Sequence, residues 1–309
     1  MEENNPKVSI VVPVYNREGL VGETLDSILG QTFPNWECII VDDHSDDSTF
    51  EVINEYQSKD SRFKIFKRPA DRPKGANSCR NYGFEQSTGA YVNWFDSDDI
   101  MLPEKLEIQL SSLTKSEYAF SVCQTLVFEE EKENIIGLRK ESIHSEDFFN
   151  DFVTNKIMWL TQAPLIERSF IDQYEFRFDE TLAKGQERDF FINLLSVVNG
   201  YHHTDQPLVL FRKHPNSISN KPSTPQKLYS SFLVNFNIIK RHSSRLNKES
   251  IRYLKRVLLS KLYQLNRMDE RSLVGDILNQ IKSIKVYNPL ELLVIKLKLL
   301  YFANRNSSK

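Results

Sequence analysis

Hydrophobic and polar positions in the first hundred residues switch between two periods. Val8–Val14 (VSIVVPV) is a continuous apolar run, the pattern of a strand covered on both faces. Over residues 17–31, Leu20, Val21, Leu25, Ile28 and Leu29 fall on one helical stripe. Residues 36–41 (WECIIV) predict a second strand, which runs into the acidic stretch DDHSDD. Ser48-Thr49-Phe50-Glu51 has the form of a capping box opening a helix through Val52, Ile53 and Tyr56. Phe63–Lys67 predicts a short strand, residues 75–86 a helix, and residues 90–95 a strand ending in Asp96-Ser97-Asp98-Asp99. This alternation predicts a mixed, mainly parallel sheet flanked by helices, an α/β fold. Ligands of such sheets collect beyond the carboxyl ends of the strands. Both acidic clusters lie at such ends.

After Pro103 a helix is expected to about Leu113, then strands over 118–139 with a charged turn at 129–134. Residues 141–200 mix helical and irregular patterns, and 206–212 (QPLVLFR) predict a last strand. The polar stretch HPNSISNKPSTPQ marks a boundary near residue 220. Beyond it the periodicity is helical, ending in the apolar PLELLVIKLKLLYF, with lysines at 296 and 298. The expected organisation is one domain over 1–220, with halves 1–113 and 114–220, and a helical C-terminal extension over 221–309.

Composition narrows the class. A hydrophobic content of 40% with 27% charged residues is that of a globular chain, not a disordered one. The net charge of −2 supplies no overall field for nucleic acid, so no nucleic-acid partner is expected. Cys38, Cys79 and Cys123 are an odd count without close spacing, which fits a reducing compartment and not a zinc site. The start MEENNPK lacks a signal-peptide core. No apolar run reaches the ~18 residues that span a bilayer. The expectation is a cytoplasmic protein, soluble or peripheral on the inner face of the membrane.

Asp96-Ser97-Asp98-Asp99 lacks the alternating ligands and the glycine of an EF-hand loop. Carboxylates at a strand end suit a hard divalent ion that keeps positions open for water and phosphate. A solvated turn, with Asp99 capping the next helix, explains the same residues equally well. Context separates the two. VSIVVPVYN, VDDHSDDST, and WFDSDD followed by LPEKL stand in the order and approximate spacing of the inverting family-2 glycosyltransferases with a GT-A fold. The chain resembles that family over roughly its first 215 residues.

The resemblance implies a nucleotide-sugar donor, a Mn²⁺ or Mg²⁺ cofactor, and a saccharide or lipid-linked acceptor in cell-surface polysaccharide synthesis. It assigns Pro13, Tyr15 and Asn16 to the nucleotide base, with Tyr15 offering a face for stacking. Asp43 matches the family's base-reading aspartate, whose carboxylate accepts from uracil N3–H, so a UDP-sugar is expected. Asp42 serves either as a helix cap or as a partner behind Asp43, and Asp46 and Asp47 as a solvated turn. Lys74 and Arg80 lie in PKGANSCRNYG, the segment before the metal motif. Arg80 reaches either the sugar diphosphate or an aspartate of that motif. Gly75 allows a turn at the helix start. Asp96 is expected at the donor sugar or ribose and Asp98 on the metal. His214 is expected on the metal or the diphosphate.

An inverting transfer needs a general base for the acceptor hydroxyl. The matching segment is KGQERDFF, where Glu187 takes the place of the family's usual aspartate and Gln186 replaces the usual glutamate. Glu187 is the expected base, with Asp189 as the alternative. Trp159 serves either to stack on a sugar or to fill the core. The C-terminal helices provide either a membrane contact or a self-association surface. Rival functions are a nucleotidyltransferase, which VPVYNREG does not suit for want of a glycine-rich basic loop, and a non-catalytic nucleotide- or glycan-binding protein. A receiver domain would need about half this length.

Overall fold

The computed structural model describes residues 6–214, 222–284 and 286–306, without the side chains of 300–306. The MEENN start, and residues 215–221 where the boundary near 220 is expected, lie outside the described residues. The chain divides into two compact units.

The first unit comprises Met1–Glu146, Ile157–Glu180 and Val198–Asn220. Its elements in chain order are β1 (Val8–Val14), α1 (Val21–Leu29), β2 (Trp36–Asp42), α2 (Thr49–Lys59), β3 (Phe63–Lys67), α3 (Ala76–Gln86), β4 (Tyr91–Trp94), β5 (Ile100–Met101) and α4 (Lys105–Leu113). There follow β6 (Phe120–Glu129), β7 (Ile135–Leu138), then, after a segment of the second unit that holds α5 (Phe148–Val153), β8 (Pro164–Glu167) and α6 (Arg168–Gln173). The helix α7 (Gln186–Leu195) belongs to the second unit, and β9 (His202–Lys213) completes the sheet. Strand order is β3-β2-β1-β4-β8-β6-β9-β5, with β7 paired to β6.

Strands β3, β2, β1 and β4 are mutually parallel, Val8 lying opposite both Trp36 and Tyr91. Every residue of β1 and β2 is buried, as their unbroken apolar runs predict. The parallel register brings the ends of β1, β2, β3 and β4 to one edge of the sheet. Helix α3 covers β1 and β2 at close range. A Cβ on Gly83 would lie 2.4 Å from Val11 Cγ1 and 3.2 Å from Val41 Cγ2, so glycine is what lets this helix lie so low.

Three local expectations change. Residues 17–20 form a turn, Val21 N donating to Arg17 O at 2.9 Å, so α1 starts later than its stripe. The capping box does not form: the Ser48 side chain makes no cap bond, and Glu18 Oε2, not Glu51, takes the Ser48 amide at 2.9 Å. Strands β5 and β8 were not foreseen. Two and four residues long, they carry too few positions to display a period. β5 pairs with β9, Ile100 opposite Leu210, and these two pack with Phe128. The acidic motif therefore forms the turn between β4 and β5.

The second unit comprises Asp147–Lys156, Thr181–Val197 and Lys221–Lys309. A single cut near 220 would not produce it, since α5 and α7 group with the C-terminal helices. Arg188 ties α7 to α5, donating to Phe152 O at 3.2 Å, Asn155 Oδ1 at 2.8 Å and Val153 O. The remaining helices are α8 (Pro225–His242), α9 (Lys248–Arg267), α10 (Arg271–Ser283) and α11 (Pro289–Asn306). Thr224 caps α8 ahead of Pro225, and Asn247 caps α9 by accepting from Ser250 N at 2.9 Å. Leu254, Leu258, Leu262 and Leu265 bury one stripe of α9. Among the described residues no helix is long and apolar enough to cross a membrane.

Candidate active site

The loops after β1 and β2 are stitched together. Asn16, at φ 50°, donates to Asp46 Oδ1 at 2.5 Å, and its own Oδ1 accepts from Asp46 N at 3.1 Å. Arg17 N donates to Thr49 Oγ1 at 2.6 Å, and Glu18 N to Asp47 Oδ2 at 3.3 Å. Asp46, which is exposed, and Asp47 thus also fasten the β1 loop. Asp42 holds the turn from inside, accepting from Ser45 Oγ at 2.6 Å and from Ser45 N at 3.1 Å. Beside this clamp, Pro13 is buried in β1 and Tyr15 is exposed rather than packed into the core. Lys74, also exposed, places Nζ 3.9 Å from the centre of the Tyr15 ring.

Asp43 is buried at the end of β2, its amide donating to Val14 O at 2.8 Å. Arg68 Nε donates to its Oδ1, while Arg68 Nη1 donates to Pro69 O and Arg72 O. A buried carboxylate of this kind needs a cationic partner, and the sequence reading missed it. Lys67 stands opposite Asp42 in the β2–β3 register, which puts Arg68 level with Asp43, a pairing that no local pattern displays. Gly75, the N-cap of α3, takes φ 138°, a conformation costly for any residue with a Cβ.

The turn between β4 and β5 answers the crowding of its three aspartates by giving each a different partner. Asp96 accepts from Arg80 Nη2 at 2.7 Å and from Thr161 Oγ1 at 3.4 Å. Arg80 is therefore engaged with the acidic motif, the second of its two expected roles. Asp98 Oδ2 faces His214 Nε2 at 3.2 Å and Arg17 Nη2 at 3.5 Å. Asp99 is fully enclosed, its Oδ1 accepting from Arg212 N at 2.9 Å and its Oδ2 from Gln162 Nε2 at 2.5 Å. Burial, then the charges of Asp98 and Asp96, push its carboxyl well above the usual range. Asp99 binds β9 and the segment before β8 to the turn; it does not cap α4, whose N-cap is Glu104.

Arg212 fixes the same turn from the β9 side. Its Nε donates to Asp98 O at 3.0 Å and its Nη2 to Glu23 Oε2 at 2.6 Å. Arg17, Gln162 and Arg212 are thus site residues that the sequence reading did not single out. They come from positions distant in the chain, and the pairing of β9 with β5 and β6 brings Arg212 to the motif.

Asp98 and His214 offer a carboxylate oxygen and an imidazole nitrogen converging on one point. That donor pair fits Mg²⁺ or Mn²⁺, ions that complete their shells with water and phosphate. Among the described residues no group of three or more His, Cys, Asp or Glu gathers into a protein-only cage. Trp159 is buried against Tyr201, ring centres 5.2 Å apart, so it fills the core.

In the helical unit, Gly185 precedes α7, and both Glu187 and Asp189 occupy its first turn. Their surroundings differ. Asp189 is buried, with Asn193 Nδ2 3.2 Å and Arg241 Nη1 3.6 Å from its carboxylate. Glu187 is partly exposed. A carboxylate in a helix's first turn is favoured as an anion by the helix dipole.

Comparison with known proteins adds the following. An uncharacterised glycosyltransferase of Haemophilus influenzae is 39% identical over 124 residues, 38% of this chain and 49% of that protein. The UDP-Glc:alpha-D-GlcNAc-diphosphoundecaprenol beta-1,3-glucosyltransferase WfgD of Escherichia coli is 38% identical over 114 residues, 37% of this chain and 43% of that protein. The alignments to the Haemophilus protein and to three rickettsial glycosyltransferases span between 26% and 49% of those proteins' own lengths. The crystal structure of S. aureus TarS 1–349 in complex with UDP-GlcNAc superposes with a TM-score of 0.67 at 18% identity, covering 90% of this chain and 81% of that one. The likeness establishes a shared GT-A fold. The family model described as glycosyl transferase family 2 matches residues 9–173, a segment that contains the β1–β2 clamp, the Asp43–Arg68 pair and the β4–β5 acidic turn, and the chain belongs to that family.

Proposed function

We propose that this chain is an inverting, metal-dependent glycosyltransferase that moves a sugar from a UDP-sugar to a saccharide or lipid-linked glycan in the assembly of a cell-surface polysaccharide. The observation that carries the reading is the β4–β5 turn. Asp98 lies there with His214 and Arg17 on one carboxylate oxygen, at the sheet edge where ligands of parallel sheets collect. The donor named for WfgD is UDP-glucose and its acceptor a diphosphoundecaprenol-linked sugar, which supports a uridine donor and a lipid-linked acceptor here.

In this reading Tyr15 stacks on uracil, Asp43, held in place by Arg68, accepts from uracil N3–H, and Pro13 and Asn16 shape the base pocket. Lys74 and Arg17 bring positive charge to the diphosphate. Asp96, steadied by Arg80, contacts the donor sugar. Asp98 and His214 would hold Mn²⁺ or Mg²⁺. When bound, the ion offsets negative charge developing on the leaving UDP. Glu187 accepts the acceptor hydroxyl proton as that oxygen bonds to the anomeric carbon and the bond to UDP breaks. Asp189 is the weaker candidate, because its carboxylate is buried whereas Glu187 is partly exposed. Donor and acceptor halves divide near residue 113, and the enzyme works on the cytoplasmic side of the membrane.

A thermal-shift screen across UDP-, GDP- and dTDP-sugars with Mn²⁺ tests the donor assignment. Stabilisation by UDP-sugars above the others is expected, and preference for GDP- or dTDP-sugars contradicts it. Gln186 at the family's glutamate position favours one competing reading, a donor-binding protein without turnover. Tight UDP-sugar binding with no UDP release, whatever acceptor is offered, would establish that reading instead.

A further inference from the structure

The charge of the chain is unevenly divided. Residues 1–220 carry 22 Lys and Arg against 37 Asp and Glu, a net −15. Residues 221–309 carry 18 against 5, a net +13. The overall −2 conceals a basic C-terminal segment, the kind of asymmetry that marks an anionic partner. Three of its five acids are already matched, Glu249 by Lys156, Asp269 by Arg271 and Glu291 by Lys255. Lys248, Arg252 and Arg256, spaced four apart along α9, are all exposed.

Helix α11 shows what kind of anionic partner fits. Its inner side is fixed to α9: Ile295 and Leu299 are buried, and Lys255 donates to Glu291 Oε1 at 2.6 Å and to Val286 O at 3.0 Å. Its other side carries Leu290, Leu293, Val294 and Leu297 at 69%, 52%, 42% and 57% exposure. These positions follow i, i+3, i+4, i+7, a single apolar stripe. At about 100° per residue Lys298 lies on one border of the stripe and Lys296 on the other. Both lysines are exposed.

We propose that the C-terminal helical unit is a docking surface for an anionic lipid bilayer, with α11 lying in the plane of the interface. The leucine and valine side chains enter the acyl boundary, while Lys296 and Lys298 extend sideways to headgroup phosphates. Nucleic acid would use the charge but leave the apolar stripe in water, and a second copy of the chain would set one basic unit against another. A bilayer with acidic headgroups uses both features at once. The helix rests on the membrane without crossing it, in keeping with the lack of any spanning helix among the described residues.

Cosedimentation of the full chain with two kinds of vesicle tests this: phosphatidylcholine alone, and equal parts phosphatidylcholine and phosphatidylglycerol. Binding to the second only, weakened by added salt, is expected. The double variant Leu293→Ser/Leu297→Ser should lower partitioning at least ~tenfold, and Lys296→Glu/Lys298→Glu by a similar factor. These substitutions lie on exposed positions, and circular dichroism with a thermal melt verifies that each variant is folded. Equal binding to both vesicles, no binding to either, or unchanged binding by the folded double variants overturns the proposal. So does sedimentation of the wild type as a dimer that Leu293→Ser/Leu297→Ser dissociates, because the stripe would then be a contact between copies.

Discussion

Glu37 lies on β2 with its side chain only 3% exposed. Its carboxylate accepts from Lys64 Nζ at 2.8 Å, Thr88 N at 2.6 Å, Thr88 Oγ1 at 2.9 Å and Ser9 Oγ at 2.8 Å. Burial pushes the carboxyl up, but the bonds from Lys64, Thr88 and Ser9 together outweigh it and bring it from 4.5 down to about 2. The unfolded chain therefore takes up this proton at a higher pH than the folded one. The stabilisation is complete above about pH 4.5 and fades as pH falls through about 2. The shift corresponds to about 3 kcal/mol. Lys64 is 42% exposed, and solvent screening reduces the figure to about 2 kcal/mol. Glu37→Gln keeps the size and one acceptor but removes the charge. Urea unfolding of wild type and variant should differ by about 2 kcal/mol near pH 7, and by only about 1 kcal/mol near pH 3.5, where the unfolded wild type is already protonated. An equal difference at both pH values would mean that packing, not ionisation, sets the cost, and would refute the reasoning.

Other expectations follow from the same geometry. Arg68→Met leaves the Asp43 carboxylate buried without its cation and should cost about 3–5 kcal/mol in urea unfolding; less than about 1 kcal/mol would show that water or another group replaces the arginine. Adding Asp43→Asn to that variant should recover part of the loss, because the buried charge is gone. Gly83→Ala forces a Cβ against Val11 on β1 and should destabilise by about 1–3 kcal/mol; a neutral effect would mean that α3 shifts freely. Glu187→Gln should keep UDP-sugar binding while transfer falls ~10²–10⁴-fold, with Asp189→Asn much closer to wild type. The reverse order in a transfer assay moves the base to Asp189.

Much of the sheet unit was legible because its signals are local. The runs that form β1 and β2 are buried along their whole length and could belong to little else. The acidic clusters were likewise found at strand ends by pattern alone. What escaped depends on pairings distant in sequence. Arg212 reaches Asp98 across 114 positions and Gln162 reaches Asp99 across 63, and no local period announces either. The fastening role of Asp46 and Asp47 escaped because their partners, Asn16 and Glu18, lie 30 residues and 29 residues away. The basic C-terminal segment was hidden differently: an equally marked acidic excess upstream cancels it in the total charge.

The central claim is that this family-2 chain turns over a UDP-sugar through an ion held at Asp98. Its most direct test is UDP release from UDP-sugars by wild type and Asp98→Asn, each with and without Mn²⁺. The account predicts release by the wild type that requires the ion, and release by the folded variant at least ~10²-fold slower at every Mn²⁺ concentration. Release by Asp98→Asn at the wild-type rate, or by the wild type equally well in the presence of a chelator, would contradict it.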